Sequence, residues 1–179
     1  MRRAPAPALA LAFALPLLLA GCGFRPVYMG AAGGAPGPAP RNLARIHVAL
    51  IPDRPGQLLR QALQRRFHGA DDTTPRRYTL HVSYWITGSN EGILDSTVGT
   101  RVQLIGNATW TLTRHDASGT KVTVGSAQAM DGVDLFANQY FGFDLGSDAA
   151  DRRLARAIAD QIATRLAIFF RHRADRAAR

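Results

Sequence analysis

Two stretches in which every second residue is apolar limit this chain more than any other feature of it. From Arg76 to Thr87, the residues Tyr78, Leu80, Val82, Tyr84 and Ile86 share one face, and Thr79, His81, Ser83, Trp85 and Thr87 share the other. From Thr100 to Arg114 the pattern repeats. Val102, Leu104, Ala108, Trp110 and Leu112 point inward, while Arg101, Gln103, Ile105, Asn107, Thr109, Thr111 and Thr113 point outward. Asp116-Ala117-Ser118-Gly119 supplies a hairpin turn, and Lys121 to Met130 is the returning strand. Successive side chains on a strand face opposite ways, so an apolar row backed by a polar row predicts an antiparallel sheet covered on one side only.

The cover is legible as helices. Between Gly56 and His68, Leu59, Leu63 and Phe67 recur at four-residue spacing with Leu58 and Ala62 beside them, and Arg60, Arg65 and Arg66 fall mostly outside that stripe. Gly69 is the expected C-cap. A second helix is expected from an N-cap at Ser147 or Asp148 to about Arg171, with Leu154, Ile158, Ile162, Leu166 and Phe169 as its apolar stripe. Ahead of the first helix, Arg45 to Ile51 is β-branched and apolar and reads as a strand, ended by Pro52 and the turn residues through Gly56. Gly88 to Gly99 reads as a flexible loop, and Leu135 to Leu145 is rich in aromatics. The order β-α-β-β-β-α predicts an α+β fold: a small, mostly antiparallel sheet with two helices packed on one face. One domain over residues 43–173 is expected, followed by a basic tail at 174–179.

The N-terminus carries a different kind of signal. Arg2 and Arg3 precede an apolar run from Ala8 to Ala20, interrupted by Pro16, and the run ends in Leu18-Leu19-Ala20-Gly21-Cys22. A charged start, a short apolar core and small residues at a cut site make a secretory signal over residues 1–21. The run is too short to span a bilayer, which takes about 20 apolar residues. Cys22 is the only cysteine and stands where a bacterial lipobox places its lipidated residue. The expected covalent groups are diacylglycerol on the thiol and an acyl chain on the new amine, together a stable anchor in the membrane. Gly23, rather than Asp, favours the outer membrane. Residues 22–42 then form a lipidated start and a Gly/Pro/Ala linker, since Met29 to Pro40 has no charge and no large aliphatic side chain beyond Met29.

Charge narrows the partners. The chain holds 22 Lys+Arg against 13 Asp+Glu, and Lys121 is its only lysine. Such an excess suits anionic partners, and guanidinium forks match phosphate. Export argues against nucleic acid and leaves anionic lipid. Catalysis finds little support: there is no nucleophile elbow, metalloprotease motif or phosphate loop. The histidines at 47, 68, 81, 115 and 172 show no metal-ligand spacing, and Asp131 with Asp134 is the one carboxylate pair to consider. No metal, no cofactor beyond the acyl groups on Cys22, and no enzymatic activity are expected.

Several strings resemble one family. Cys22-Gly23-Phe24-Arg25-Pro26-Val27-Tyr28, Ile51-Pro52-Asp53-Arg54-Pro55-Gly56-Gln57-Leu58-Leu59-Arg60, Thr100-Arg101-Val102-Gln103-Leu104, Ala108-Thr109-Trp110-Thr111-Leu112, and Tyr140 followed by Asp148 to Ala155 resemble the LptE family of lipopolysaccharide-assembly lipoproteins in its alphaproteobacterial form. The resemblance implies a non-catalytic outer-membrane lipoprotein on the periplasmic side. It would sit in the lumen of the LptD β-barrel, support assembly of that barrel and help deliver lipopolysaccharide to the outer leaflet. A plug in a polar lumen needs a hydrogen-bonding face. Trp85 and Ile105 on the polar side are then candidate partner contacts, an exposed aromatic there being either an interface anchor or shielded by a loop. Arg101 is the first candidate for a lipopolysaccharide phosphate, with Arg77, Arg114 and Lys121 at neighbouring strand ends. Two other readings remain: an accessory lipoprotein of a phospholipid-trafficking transporter, and a periplasmic lipoprotein hydrolase.

Overall fold

The computed structural model describes the backbone of residues 37–68, 74–93, 99–134 and 140–179, and the side chains of 37–68, 74–89, 101–133 and 146–179. The expectations for the signal segment, Cys22 and Gly69 lie outside the described residues. The elements in chain order are α1 (Pro38–Leu43), β1 (Ile46–Val48), α2 (Asp53–His68), β2 (Tyr78–Ile93), β3 (Gly99–Arg114), β4 (Lys121–Asp134) and α3 (Tyr140–Ala177). The sheet runs β1-β2-β3-β4. β1 pairs parallel to β2 with Ile46 opposite Tyr78, and the other two ladders are antiparallel. The α+β architecture therefore stands, with a mixed sheet: a parallel pair needs a crossover, and α2 is that crossover.

The inward row is the core. Leu80 and Leu112 are fully buried, with Val82, Ala108 and Trp110 beside them, and Leu154, Ile158, Ile162 and Leu166 of α3 close over the row. Each such aliphatic side chain contributes about 1.5–3 kcal/mol on burial. Trp110 lies against Gly125, its cross-strand partner: a Cβ at Gly125 would collide with the indole ring. The β3–β4 hairpin closes through Gly119 at φ +53°, a left-handed conformation that glycine adopts freely, and Asp116 Oδ1 accepts from the Ser118 and Gly119 N–H groups.

Both edges of the sheet are blunted. β1 has only three residues. Along β4, the Gln161 side-chain amide donates to the Gln128 carbonyl at 2.7 Å, and Arg165 donates to the Ser126 carbonyl. Side chains of α3 thus wrap an edge that would otherwise offer a template for another strand.

Several expectations need correction. The C-terminal part of the linker is not featureless, because Pro38–Leu43 forms α1, which buries Ala39 and Leu43. Proline at the first helical position and small residues suffice when α3 supplies the apolar contact. The described residues of the expected Gly88–Gly99 loop are ladder instead: Gly88 pairs with Leu104, Ser89 with Gln103 and Ile93 with Gly99. Cross-strand backbone bonding carries the hairpin through glycine and polar residues of low strand propensity. The first strand is shorter than expected, and β4 extends to Asp134.

The last helix begins at Tyr140 and has 38 residues, so Ser147 and Asp148 lie inside it and cap nothing. At about 1.5 Å per residue it reaches roughly 57 Å. It also absorbs residues 174–177 of the expected tail. Phe170, not Phe169, closes its buried stripe, Phe169 being only partly buried. Ala155, Ala159, Ala163 and Ala167 form a second buried column, widening the apolar face to fit against both the sheet and α2.

Candidate functional site

The face of the sheet turned away from the helices is the candidate site. Its rows follow from the ladder registers. Trp85 stands opposite Asn107, and Asn107 opposite Gln128. One row on, Thr87 stands opposite Ile105, and Ile105 opposite Met130. The Gln128 amide donates to Asn107 Oδ1 at 2.8 Å, and the Thr113 hydroxyl donates to the Thr79 carbonyl at 3.3 Å. These polar side chains partly satisfy one another and leave donors and acceptors turned outward.

Among them stand exposed apolar side chains. Trp85 is 47% exposed and Met130 66%, with half-buried Ile105 opposite Met130 in the same row. Val124 and Leu50 are further exposed and share a shallow cleft with His81, Ser83 and Thr111. Trp85 and Ile105 are thus brought onto one surface as expected from their parity. Met130 and Val124 were missed, although alternation in β4 carries the same signal. Among the described residues no loop covers Trp85; it lines an open cleft of about 480 Å³ with Asn107, Thr109, Gln128 and Arg165.

The candidate basic residues do not form one group. β3 runs from Arg101 at one end of the sheet to Arg114 at the other, about 43 Å at 3.3 Å per residue. Arg101 folds over Gly132, its guanidinium filling the space where a Cβ on that glycine would stand. Arg101 and Arg153 flank Asp131, and Arg153 Nε donates to its carboxylate at 2.6 Å. Burial pushes the Asp131 carboxyl up, but that hydrogen bond, the Gly132 N–H and the two arginine charges together hold it below its ordinary value. The expected Asp131–Asp134 carboxylate pair falls partly outside the described residues, since the Asp134 side chain is not among them.

At the far end, Arg77 and Arg114 meet Arg76, His115, Asp116 and Arg173 around a cleft of about 420 Å³. Arg173 comes from α3, and sequence spacing carried no sign of its approach. Lys121 is exposed on β4 opposite Thr113, beside this end. The expectation of neighbouring strand ends fails because antiparallel hairpins return residues 77, 114 and 121 to one end and leave residue 101 at the other.

Histidines gather near the same end. The His47 and His115 rings lie 6.1 Å apart, and His115 Nδ1 is 2.8 Å from the Thr79 hydroxyl. Burial, then the neighbouring His115, Arg76, Arg60 and His81, lower the His47 pKa. Among the described residues no group of three or more His, Cys, Asp or Glu is arranged to hold a metal ion. Among them, too, no helix is long and apolar enough to cross a membrane.

Comparison with known proteins gives this geometry a context. The family model for LptE, described as lipopolysaccharide-assembly, matches residues 43–166, more than half of the chain. A candidate lipoprotein from Caulobacter crescentus CB15 superposes with a TM-score of 0.61 at 22% identity, covering 74% of this chain and 95% of that one. The rare lipoprotein B of Shewanella oneidensis gives a TM-score of 0.52 at 9% identity, covering 69% and 92% respectively. An uncharacterized lipoprotein B from Nitrosomonas europaea gives 0.50 at 8% identity, covering 69% and 81%. At these identities the likeness shows the fold alone. No curated protein sequence matches the chain significantly.

Proposed function

Because the chain belongs to the LptE family of lipopolysaccharide-assembly proteins, we propose that it is an outer-membrane lipoprotein, acylated at Cys22, that seats in the lumen of an LptD-type β-barrel. There it supports folding of the barrel and assists insertion of lipopolysaccharide into the outer leaflet. Family membership fits a role without catalysis.

One observation carries this reading. The sheet is buried on one face and wet on the other, and the wet face combines a hydrogen-bonding surface with Trp85, Ile105 and Met130. The interior of a membrane barrel is polar, so a protein that fills it needs outward donors and acceptors and a few apolar anchors to fix its seat. Arg101 is the proposed contact for a lipopolysaccharide phosphate at its end of the sheet, and Arg77, Arg114 and Lys121 form a separate basic end. The Gly/Pro/Ala segment after Cys22 would let the domain reach the barrel from its anchor.

A pull-down from detergent extract followed by mass identification tests the partnership, with a large outer-membrane barrel as the expected companion. An inner-membrane transporter component in its place would favour the phospholipid-trafficking reading. Depletion should leave the barrel misassembled and lipopolysaccharide stalled; normal surface lipopolysaccharide with a normal barrel would exclude the role. Cys22→Ala should release the protein from the membrane pellet. In direct titration, Arg101→Ala should weaken lipopolysaccharide binding more than Arg60→Ala, whose Nε donates to the Val48 carbonyl within the domain.

A further inference from the structure

The side of the domain opposite the open sheet carries the densest charge. α2 and α3 together hold eleven arginines and six aspartates, with no lysine or glutamate. Two clefts run along the seam between these helices and share Ala62, Arg65 and Arg156. They differ in one respect. The smaller, of about 290 Å³, contains Asp160, which pairs with Arg66, so the protein supplies its own anion there. The larger, of about 420 Å³, is walled by Arg65, Arg152 and Arg156 over a floor of Ala62 and Ala155, and among the described residues no carboxylate lines it.

The surroundings leave the larger cleft electropositive. Two acids lie nearby: Asp148, whose one carboxylate is shared between Arg152 at 2.5 Å and Arg54 at 2.8 Å, and Asp160 of the adjoining cleft, which pairs with Arg66. Arg156 donates through Nε to the Arg152 carbonyl at 3.1 Å, a bond that steadies the side chain and uses none of its Nη protons. Gln61 adds an amide at the rim. The alanine floor keeps the cleft open, because longer side chains would fill the seam.

We propose that this cleft is a phosphate-binding site on the helical layer, separate from the sheet and from Arg101. Three guanidinium groups around one void suit a tetrahedral, multiply charged oxyanion better than a single carboxylate, since each fork can engage two of its oxygens. The ligand class is a phosphate group, borne by the headgroup of an anionic lipid or free in solution. The site does not depend on acylation of Cys22 or on the barrel partner.

The test uses the full chain in neutral detergent micelles and follows the arginine Nε–H resonances by NMR. One arm adds inorganic phosphate; the other adds phosphatidylglycerol, with diacylglycerol, which has no phosphate, as its uncharged counterpart. Saturable shifts of the Arg65 and Arg156 signals are expected in at least one arm. Response to inorganic phosphate assigns a free anion, and response to phosphatidylglycerol alone assigns a headgroup. The Arg65→Gln/Arg156→Gln double variant should weaken binding about a hundredfold, near tenfold for each charge-assisted contact. Arg176→Gln should leave it unchanged. No saturable shift with either anion, an equal response to diacylglycerol, or an equal loss in Arg176→Gln would overturn the site. The shifts of the unmodified chain decide the matter even if the double variant does not fold.

Discussion

The two faces of the β2–β3–β4 sheet are made by alternate residues of the same strands, yet they are built for different ends. On the inner face Leu80 and Leu112 are wholly buried and Trp110 nearly so, whereas on the outer face Trp85, Val124 and Met130 are about half exposed or more. The inner face has found its partner in α3. The outer face has satisfied part of its polar side chains, as Asn107 and Gln128 show, and left its apolar ones in water. Contiguous exposed apolar side chains rimmed by polar ones mark an interaction surface more often than a solvated one. Stability therefore resides on one side of the sheet, and the proposed recognition surface lies on the other.

Substitutions should separate these roles. Ile162→Ala removes a fully buried side chain beneath the sheet and should cost about 2–5 kcal/mol in denaturant unfolding. Gly125→Ala should cost about 1–3 kcal/mol, because its new methyl group collides with the Trp110 ring, and tryptophan fluorescence should report the displaced indole. Acid should act next. Burial, then nearby positive charge, lowers the His47 and His68 pKa below 6.5, so the folded chain binds fewer protons than the unfolded chain. Their contribution is intact above that ordinary value and is lost as pH falls through it. Thermal stability should fall between pH 7.5 and 5.5, and His47→Gln should flatten the slope. Trp85→Ala should change stability least, within about 0.5 kcal/mol, while markedly reducing capture of the barrel partner. A stability loss at Trp85 as large as that at Ile162 would erase the distinction between the faces.

The sheet was largely readable from residues 76 to 130 because a period of two leaves little choice of local structure. Asp116 to Gly119 was readable because turn chemistry is local. The continuation of β2 from Gly88 to Ile93 was not, since those residues have no alternation of their own and depend on the strand beside them. α1 was hidden for a related reason: Pro38 to Leu43 contains too little apolar surface to announce a helix, and its burial rests on α3. The candidate site was half legible. Parity found Trp85 and Ile105, but the convergence of Arg173 with Arg77 and Arg114 needs the end of a helix about 57 Å long to come back over a strand end.

Alternation and four-residue spacing, taken alone, dictate that this chain forms a one-sided sheet with helices above it, because side-chain direction follows backbone period without reference to anything distant. Which basic groups share an end, which alanines leave a cleft between arginines, and which helix guards the open edge were decided only by the packed molecule. Those relations join residues tens of positions apart, and no local propensity encodes the distance between them.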